Sequence, residues 1–347
     1  MPLGPQKFYN VLDHTHDSCR DWVVVNWNLG NKCNYTCSYC PDVLHDGSYG
    51  WNEFDVVIAF INKVIEHYAP RKIYFEFTGG EVTVWKHFMD MAQYIKEQGH
   101  DVGFISNGSR TVRWWNKNKE WFDHVCLSWH PEHADLEHYL EVVKLMSDTC
   151  RTHTNVMLHN DPELFAKGVI LAERLRDECT NISMALQPLI HEFGTVRFDY
   201  TEEQLEIIEQ QHELYGAKVK HTKEYNIYRG SMDMIDTVND LKQSSSAHRF
   251  IADNTNDWSG WDCLAGVEQI VIDYNGAVMR GWCKVGGAYG NIKNPNNIAF
   301  WRLEKPIRCN KDYCHCNFDI MCKKELPADR YTVEENDVEE NDVEEND

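Results

Sequence analysis

The segment NWNLGNKCNYTCSYCPD, residues 26–42, places Cys33, Cys37 and Cys40 in loop-like sequence just after an apolar run. That run, WVVVNWN at residues 22–28, reads as a buried strand. Thiolates are soft ligands that select iron–sulfur clusters, zinc or cuprous copper. Parallel α/β folds put their chemistry in the loops at the carboxyl ends of their strands. A [4Fe–4S] cubane normally takes four cysteines, so a triplet leaves one iron without a protein thiolate. A structural zinc would instead need a fourth ligand, and His45 stands close enough in sequence to supply it.

Outward from this loop, short β-type runs alternate with helical patterns. FDVVIAFINKVIEHY carries apolar residues at Phe54, Val57, Ile58, Ile61, Val64, Ile65 and Tyr68, a helix period stopped before Pro70. KIYFEF (residues 72–77) is the next predicted strand, and a helix follows around Phe88, Met91, Ala92 and Ile95, ending at Gly99. DVGFIS (101–106), VCLS (125–128), HTNVML (153–158) and ISMAL (182–186) complete the series. Strand–helix alternation implies parallel strands with crossover helices. Six such strands predict an α/β fold with a partial (β/α)6 TIM-type barrel over residues 22–200, preceded by a segment at 1–21.

Beyond residue 200 the pattern changes. TEEQLEIIEQQHELYG reads as one helix, with Thr201 as N-cap and Gly216 as stop. It opens a helical or irregular linker at 201–257, whose stretch 231–256 is polar and weakly patterned. Residues 258–326 hold Cys263, Cys283, Cys309, Cys314, Cys316 and Cys322. Cys263 and Cys283 lie outside VEQIVIDYNGAVMRGW, a β-hairpin turning at Asn275–Gly276. This predicts a small cysteine-rich, metal-stabilised β-hairpin module, because so short a segment has little core of its own. Residues 327–347 end in VEENDVEENDVEEND, an acidic repeat with no apolar face and an expected disordered tail.

Composition narrows the function classes. The 347 residues are 42% hydrophobic, enough for a real core, and no apolar run approaches membrane-spanning length. The N-terminus lacks the apolar region of a signal peptide, which predicts a cytoplasmic protein with no membrane partner. In a reducing compartment thirteen cysteines point to metal or redox chemistry rather than disulfides. A net charge of −21 argues against nucleic acid as the main partner. His14 and His16 read as a polar N-terminal loop, and Cys19, Cys126, Cys150 and Cys179 as isolated packed thiols. Trp114, Trp115 and Trp121 beside Lys117 and Lys119 read as a helix packed over the barrel.

The CxxxCxxC spacing of Cys33, Cys37 and Cys40 resembles the signature of the radical S-adenosylmethionine (SAM) superfamily. Tyr39 stands where that family has an aromatic residue near the adenine, and FTGGEVT carries its GGE motif at Gly79, Gly80 and Glu81. ISNGS offers Ser106 and Asn107 near the ribose, LSWHPE offers Ser128 and His130 at a strand end, and ALQPL offers Gln187. The resemblance covers residues 22–189. It implies a [4Fe–4S] cluster on the triplet, SAM chelating the open iron, and Glu81 meeting the SAM amino group. Reductive cleavage of SAM would then give a 5′-deoxyadenosyl radical that abstracts a substrate hydrogen atom.

The second cysteine group resembles the Twitch/SPASM extensions of that superfamily. It implies a second, auxiliary [4Fe–4S] cluster on Cys263 and Cys283, with the remaining ligands drawn from Cys309, Cys314 and Cys316. Cys322, beside Lys323 and Lys324, is the least favoured ligand. The implied partners are SAM, a peptide or protein residue as substrate, and an electron donor such as flavodoxin or ferredoxin. Two other readings stand beside this one. One is a radical enzyme acting on a sugar, nucleotide or amino acid, and the other is a zinc-stabilised binding protein without catalysis.

Overall fold

The computed structural model describes residues 9–191, 196–216 and 220–327. Strand β1 (Val11–His14) comes first, followed by β2 (Trp22–Gly30). Nearly every residue of β2 is buried, as expected of a strand covered on both faces. It pairs in parallel with β3 (Lys72–Gly79), Val25 opposite Phe75, after the crossover helix α1 (Phe54–Tyr68). Helix α1 buries Val57, Phe60, Ile61, Val64 and Tyr68 on one stripe.

The same unit repeats through α2 (Phe88–Glu97), β4 (Asp101–Ser106), α3 (Val112–Asn118), β5 (His124–Trp129), α4 (Leu136–Ser147) and β6 (Arg151–Leu158). Helix α5 (Pro162–Glu178) and β7 (Ile182–Pro188) close the series. Each strand from β3 to β7 is parallel to its predecessor. The six strands read from sequence are all present, extended by up to two residues at either end.

Alternation along the strands divides the sheet into two faces. Val23, Val25, Trp27, Phe75, Phe77, Phe104 and Trp129 point outward into one core shared with the helices. The inner face is polar: Asn26 Nδ2 donates to Glu76 Oε2 at 2.7 Å, and Asn155 Nδ2 to Cys126 Sγ at 3.3 Å. The floor of this inner space is aromatic, with Tyr228 stacked on Tyr74 at 3.8 Å and edge-on to Trp22 at 4.8 Å. Trp115 is fully buried in the outer core, as expected for a helix packed over the sheet.

The remaining elements are α6 (Glu202–Glu209), β8 (Met232–Asp236), β9 (Leu241–Ser245), α7 (Ala247–Ala252) and β10 (Asp262–Cys263). Then come β11 (Gln269–Ile272), β12 (Ala277–Met279), β13 (Gly290–Asn291), β14 (Ile307–Arg308), α8 (Asn317–Ile320) and β15 (Lys324–Glu325). Thr201 caps α6 in a reciprocal capping box with Gln204.

Two features depart from the sequence reading. The hairpin β11–β12 is not a distinct module: β11 joins the main sheet beside β2 in parallel, Ile270 opposite Val25. All four residues of β11 are buried, and pairing with β2 on one side and β12 on the other leaves neither edge of the strand open. The main sheet is therefore nine-stranded and mixed, ordered β13-β12-β11-β2-β3-β4-β5-β6-β7, an open partial barrel rather than a closed one.

The second departure is a six-stranded sheet, β14-β10-β15-β1-β8-β9, whose strands β1, β8 and β9 come from segments that read as loop or linker and whose other three come from the cysteine-rich segment. Residues 231–256 supply β8, β9 and α7, and the N-terminal segment supplies β1. His14 is consequently a buried strand residue, with Nε2 3.2 Å from Glu268 Oε2. The acidic repeat at 333–347 lies outside the described residues. No described helix is long and apolar enough to cross a membrane.

Candidate active site at the mouth of the sheet

The loop after β2 is held in shape by Asn31, which is fully buried. Its Nδ2 donates to Val43 O at 2.8 Å and Asp46 Oδ1 at 2.7 Å, while its Oδ1 accepts from Tyr49 N at 2.8 Å. These bonds fold residues 31–49 back on themselves and turn Cys33, Cys37 and Cys40 onto the wall of one cavity of about 440 Å³. Burial pushes all three thiols up, Cys37 to about 12 and Cys40 to about 11. Such thiols stay protonated near neutral pH unless a bound metal cation draws off the protons.

The two glycines at the end of β3 serve the same loop. A Cβ on Gly79, where φ is +145°, would sit 2.1 Å from Gly30 O, and one on Gly80 would sit 2.5 Å from Lys32 O. With no side chain in the way, Gly80 N donates to Gly30 O at 2.9 Å and Glu81 N to Lys32 O at 3.0 Å. The cysteine loop is thus bonded directly to the next strand end.

Tyr39, Gly79, Gly80, Ser106, Asn107, Ser128 and Gln187 all line the cavity. Glu81 does not. Its carboxylate is fully buried and accepts from Thr83 N (3.1 Å), Thr83 Oγ1 (2.6 Å), Ser106 Oγ (2.9 Å) and Asn107 N (2.7 Å). Burial raises its pKa, and the same four donors oppose the rise. In this structure Glu81 holds Ser106 and Asn107 in place, rather than facing the cavity as the GGE resemblance implied.

His130 lines the cavity with Nδ1 2.7 Å from Tyr39 Oη, and burial lowers its pKa to about 4. It is a neutral hydrogen-bonding group near pH 7. His45 also lines the cavity, and its Nδ1 is buried without a hydrogen-bond partner.

Sequence reading missed several contributors. Tyr35, Asn155 and Met157 are on the cavity wall, as is Tyr274, which comes from the turn of the β11–β12 hairpin and stacks on Tyr49 at 5.5 Å. Glu132, in the loop after β5, accepts Ser38 N at 2.7 Å and Ser38 Oγ, tying the cysteine loop to the opposite side of the mouth. Cys37, Glu132 and His133 also bring one possible ligand atom each within 4.8 Å of one another. Among the described residues this is the one group of His, Cys, Asp and Glu side chains that meets this spacing. Period and composition carry no signal for such contacts, which depend on which strand ends meet.

A second group of thiols converges elsewhere. Cys263, Cys283, Cys309 and Cys314 line one cavity at the junction of the two sheets, together with Arg280, Asp319 and Lys324. Asp319 Oδ2 accepts Cys283 N at 2.7 Å, and Asn256 exchanges two 2.8 Å bonds with the backbone of Cys314. Burial raises the Cys263, Cys283 and Cys314 thiols, Cys283 to about 12. Cys316 lies off this cavity at the N-cap of α8, and Cys322 is fully buried beside Cys263 and Ala265.

The profile of the radical SAM superfamily matches residues 27–163, from within β2 to the start of α5. The structure resembles that of Streptococcus suis SuiB bound to S-adenosylmethionine, at 11% identity over 80% of this chain and 65% of that chain, with a TM-score of 0.51. SuiB bound to its precursor peptide SuiA matches at 10% identity over 82% and 64%, TM-score 0.51. Native anSMEcpe with bound AdoMet matches at 16% identity over 79% and 78%, with a lower TM-score of 0.46. The chain thus spans slightly less than two thirds of the length of SuiB. The comparison with curated proteins gave no match. Residues 27–163 thus match the radical SAM superfamily, and the fold is similar to that of SuiB.

Proposed function

We propose that Cys33, Cys37 and Cys40 hold a [4Fe–4S] cluster whose fourth iron is left to SAM, and that the enzyme uses the resulting radical to modify a peptide or protein residue. The observation that carries this reading is the convergence of three thiols, the Gly79–Gly80 turn and the Ser106–Asn107 strand end on one cavity. Its donor set suits the group: three soft ligands, protonated when free, on a wall that opens into space large enough for a small-molecule cofactor. When bound, cluster and SAM together supply a one-electron cleavage that yields a 5′-deoxyadenosyl radical.

The chain's own residues bind, orient and exclude water. Tyr39, held by His130, offers an aromatic edge for the adenine. Ser106 and Asn107, fixed by Glu81, offer polar groups to the ribose, and Ser128 and Gln187 complete the wall. Among the described residues the cavity wall carries no carboxylate, ammonium or guanidinium group. Such a wall offers no ion-pair partner to a charged substrate group, which suits a peptide side chain presented without its termini. SuiB, the fold relative with a precursor peptide in its structure, is in keeping with that substrate class.

On this reading residues 22–200 form the SAM-cleaving core, and the 258–326 segment carries an auxiliary [4Fe–4S] cluster on Cys263, Cys283, Cys309 and Cys314. A cytoplasmic flavodoxin or ferredoxin supplies the electrons. One competitor is a zinc held by the triplet and His45, whose Nδ1 is unpartnered, although among the described residues only Cys37, Glu132 and His133 bring three ligand atoms within 4.8 Å. Replacing Cys37 by Ala tests the pair: 5′-deoxyadenosine release under anaerobic reduction is abolished if the triplet cleaves SAM. Unchanged release would remove the triplet from that role.

A further inference from the structure

The wall of the four-thiol cavity contains two buried cations that form no ion pair with a carboxylate among the described residues. Lys324 is 2% exposed, and its Nζ donates only to the backbone carbonyls of Asp319, Ile320 and Cys322, each at 2.9 Å. The ring of Trp258 lies 4.8 Å away. Arg280 is 4% exposed and donates to Ala265 O and Lys305 O at 2.7 Å, to Arg302 O, and to Tyr289 Oη at 2.7 Å. The one buried carboxylate on the wall, Asp319, accepts only from the neutral donors Cys283 N, Trp282 N (3.1 Å) and Gln269 Nε2 (2.9 Å), so its negative charge offsets one of the two buried cations and leaves these buried groups one positive charge in excess.

Carbonyl dipoles satisfy the hydrogen bonds of an ammonium group but leave its full charge uncompensated. Burying such a charge is costly unless an anion lies close by. A cubane held by four thiolates is anionic, and it becomes more so by one charge on reduction.

We propose that Lys324, seconded by Arg280, is the counter-charge of an anionic four-thiolate iron–sulfur centre in this cavity and raises its reduction potential. This rests on the auxiliary-cluster reading given above. A fixed cation stabilises the reduced, more negative state more than the oxidised one, so it favours uptake of an electron. The low-dielectric wall strengthens the effect, and the charge of the lysine carries it rather than its shape.

The test is an anaerobic redox titration of the reconstituted full chain and its Lys324→Gln and Lys324→Arg variants, with iron counted in each. Lys324→Gln is expected to lower the potential of the second cluster by at least a tenfold change in its reduction equilibrium, about 59 mV for one electron. Failing that, it loses the iron of that site while the fold is retained by circular dichroism. Lys324→Arg is expected to keep both iron and potential near those of the unaltered chain. A Gln variant with full iron and an unmoved potential overturns the proposal, and so does an Arg variant that behaves like Gln. An unaltered chain that binds no second cluster overturns the auxiliary-cluster reading itself and the proposal with it, a result visible before any variant is compared.

Discussion

The Glu132 carboxylate accepts the backbone N–H of Ser38 at 2.7 Å, joining the loop after β5 to the middle of the cysteine triplet. A hydrogen bond to a charged acceptor is worth about 1.5–3 kcal/mol. Here it fixes the loop segment between Cys37 and Cys40 rather than any ligand directly. Glu132→Ala is therefore expected to weaken iron retention at the triplet by about 10- to 100-fold, as for loss of other groups that orient metal ligands. Iron per chain after gel filtration measures it, and undiminished retention would show the contact to be idle.

The indole Nε1 of Trp282 donates to Asn26 Oδ1 at 3.0 Å, linking the residue beside Cys283 to the inner face of β2. Trp282→Phe keeps most of the ring and removes this bond. The expected loss is about 1 kcal/mol of stability, read from the urea midpoint at unchanged m-value, with iron content unaltered.

The four-thiol cavity includes Cys314 and leaves out Cys316. Cys314→Ser is expected to lower iron by one cluster's worth, about four atoms per chain, whereas Cys316→Ser leaves it unchanged. The reverse result would move the ligand from one residue to the other.

Burial, aided by Arg151 and His153, lowers the pKa of His124 to about 3, and its Nδ1 lies 2.8 Å from Tyr74 Oη. In the unfolded chain a histidine takes up its proton near pH 6.5. Stability from keeping this ring neutral is thus fully present above pH 6.5 and lost as pH falls from there toward the folded value. The slope is at most about 1.4 kcal/mol per pH unit for one group. Urea unfolding at pH 7, 6 and 5 should show that decline, and His124→Phe should flatten it.

What could be read from the chain alone follows from where each signal resides. Strands β2 to β7 were legible because each is a short apolar run between helical periods, and α1 because its stripe ends at Pro70. Strands β1, β8, β9 and β15 were not. Val11 pairs with Ile235 on one side and Glu325 on the other, so what makes it a strand lies more than two hundred residues away. Their buried polar residues, among them Asp13, His14, Asp233 and Lys324, hide the strands from any hydrophobic pattern.

The site divided the same way. The triplet, the paired glycines and Ser106–Asn107 are local motifs, and they meet. Glu132, Asn155 and Tyr274 join them only because the sheet brings distant strand ends and a hairpin turn to one mouth. Glu81 shows the limit of motif reading, since its identity was plain while its four intramolecular donors were not.

The most direct test of the triplet's role is metal and product analysis of a chain lacking Cys263 and Cys283, both replaced by Ala, after anaerobic reconstitution. About four irons with matching sulfide per chain, together with 5′-deoxyadenosine release from SAM on reduction, is the predicted result. A colourless protein holding zinc at the triplet and releasing no 5′-deoxyadenosine would contradict it.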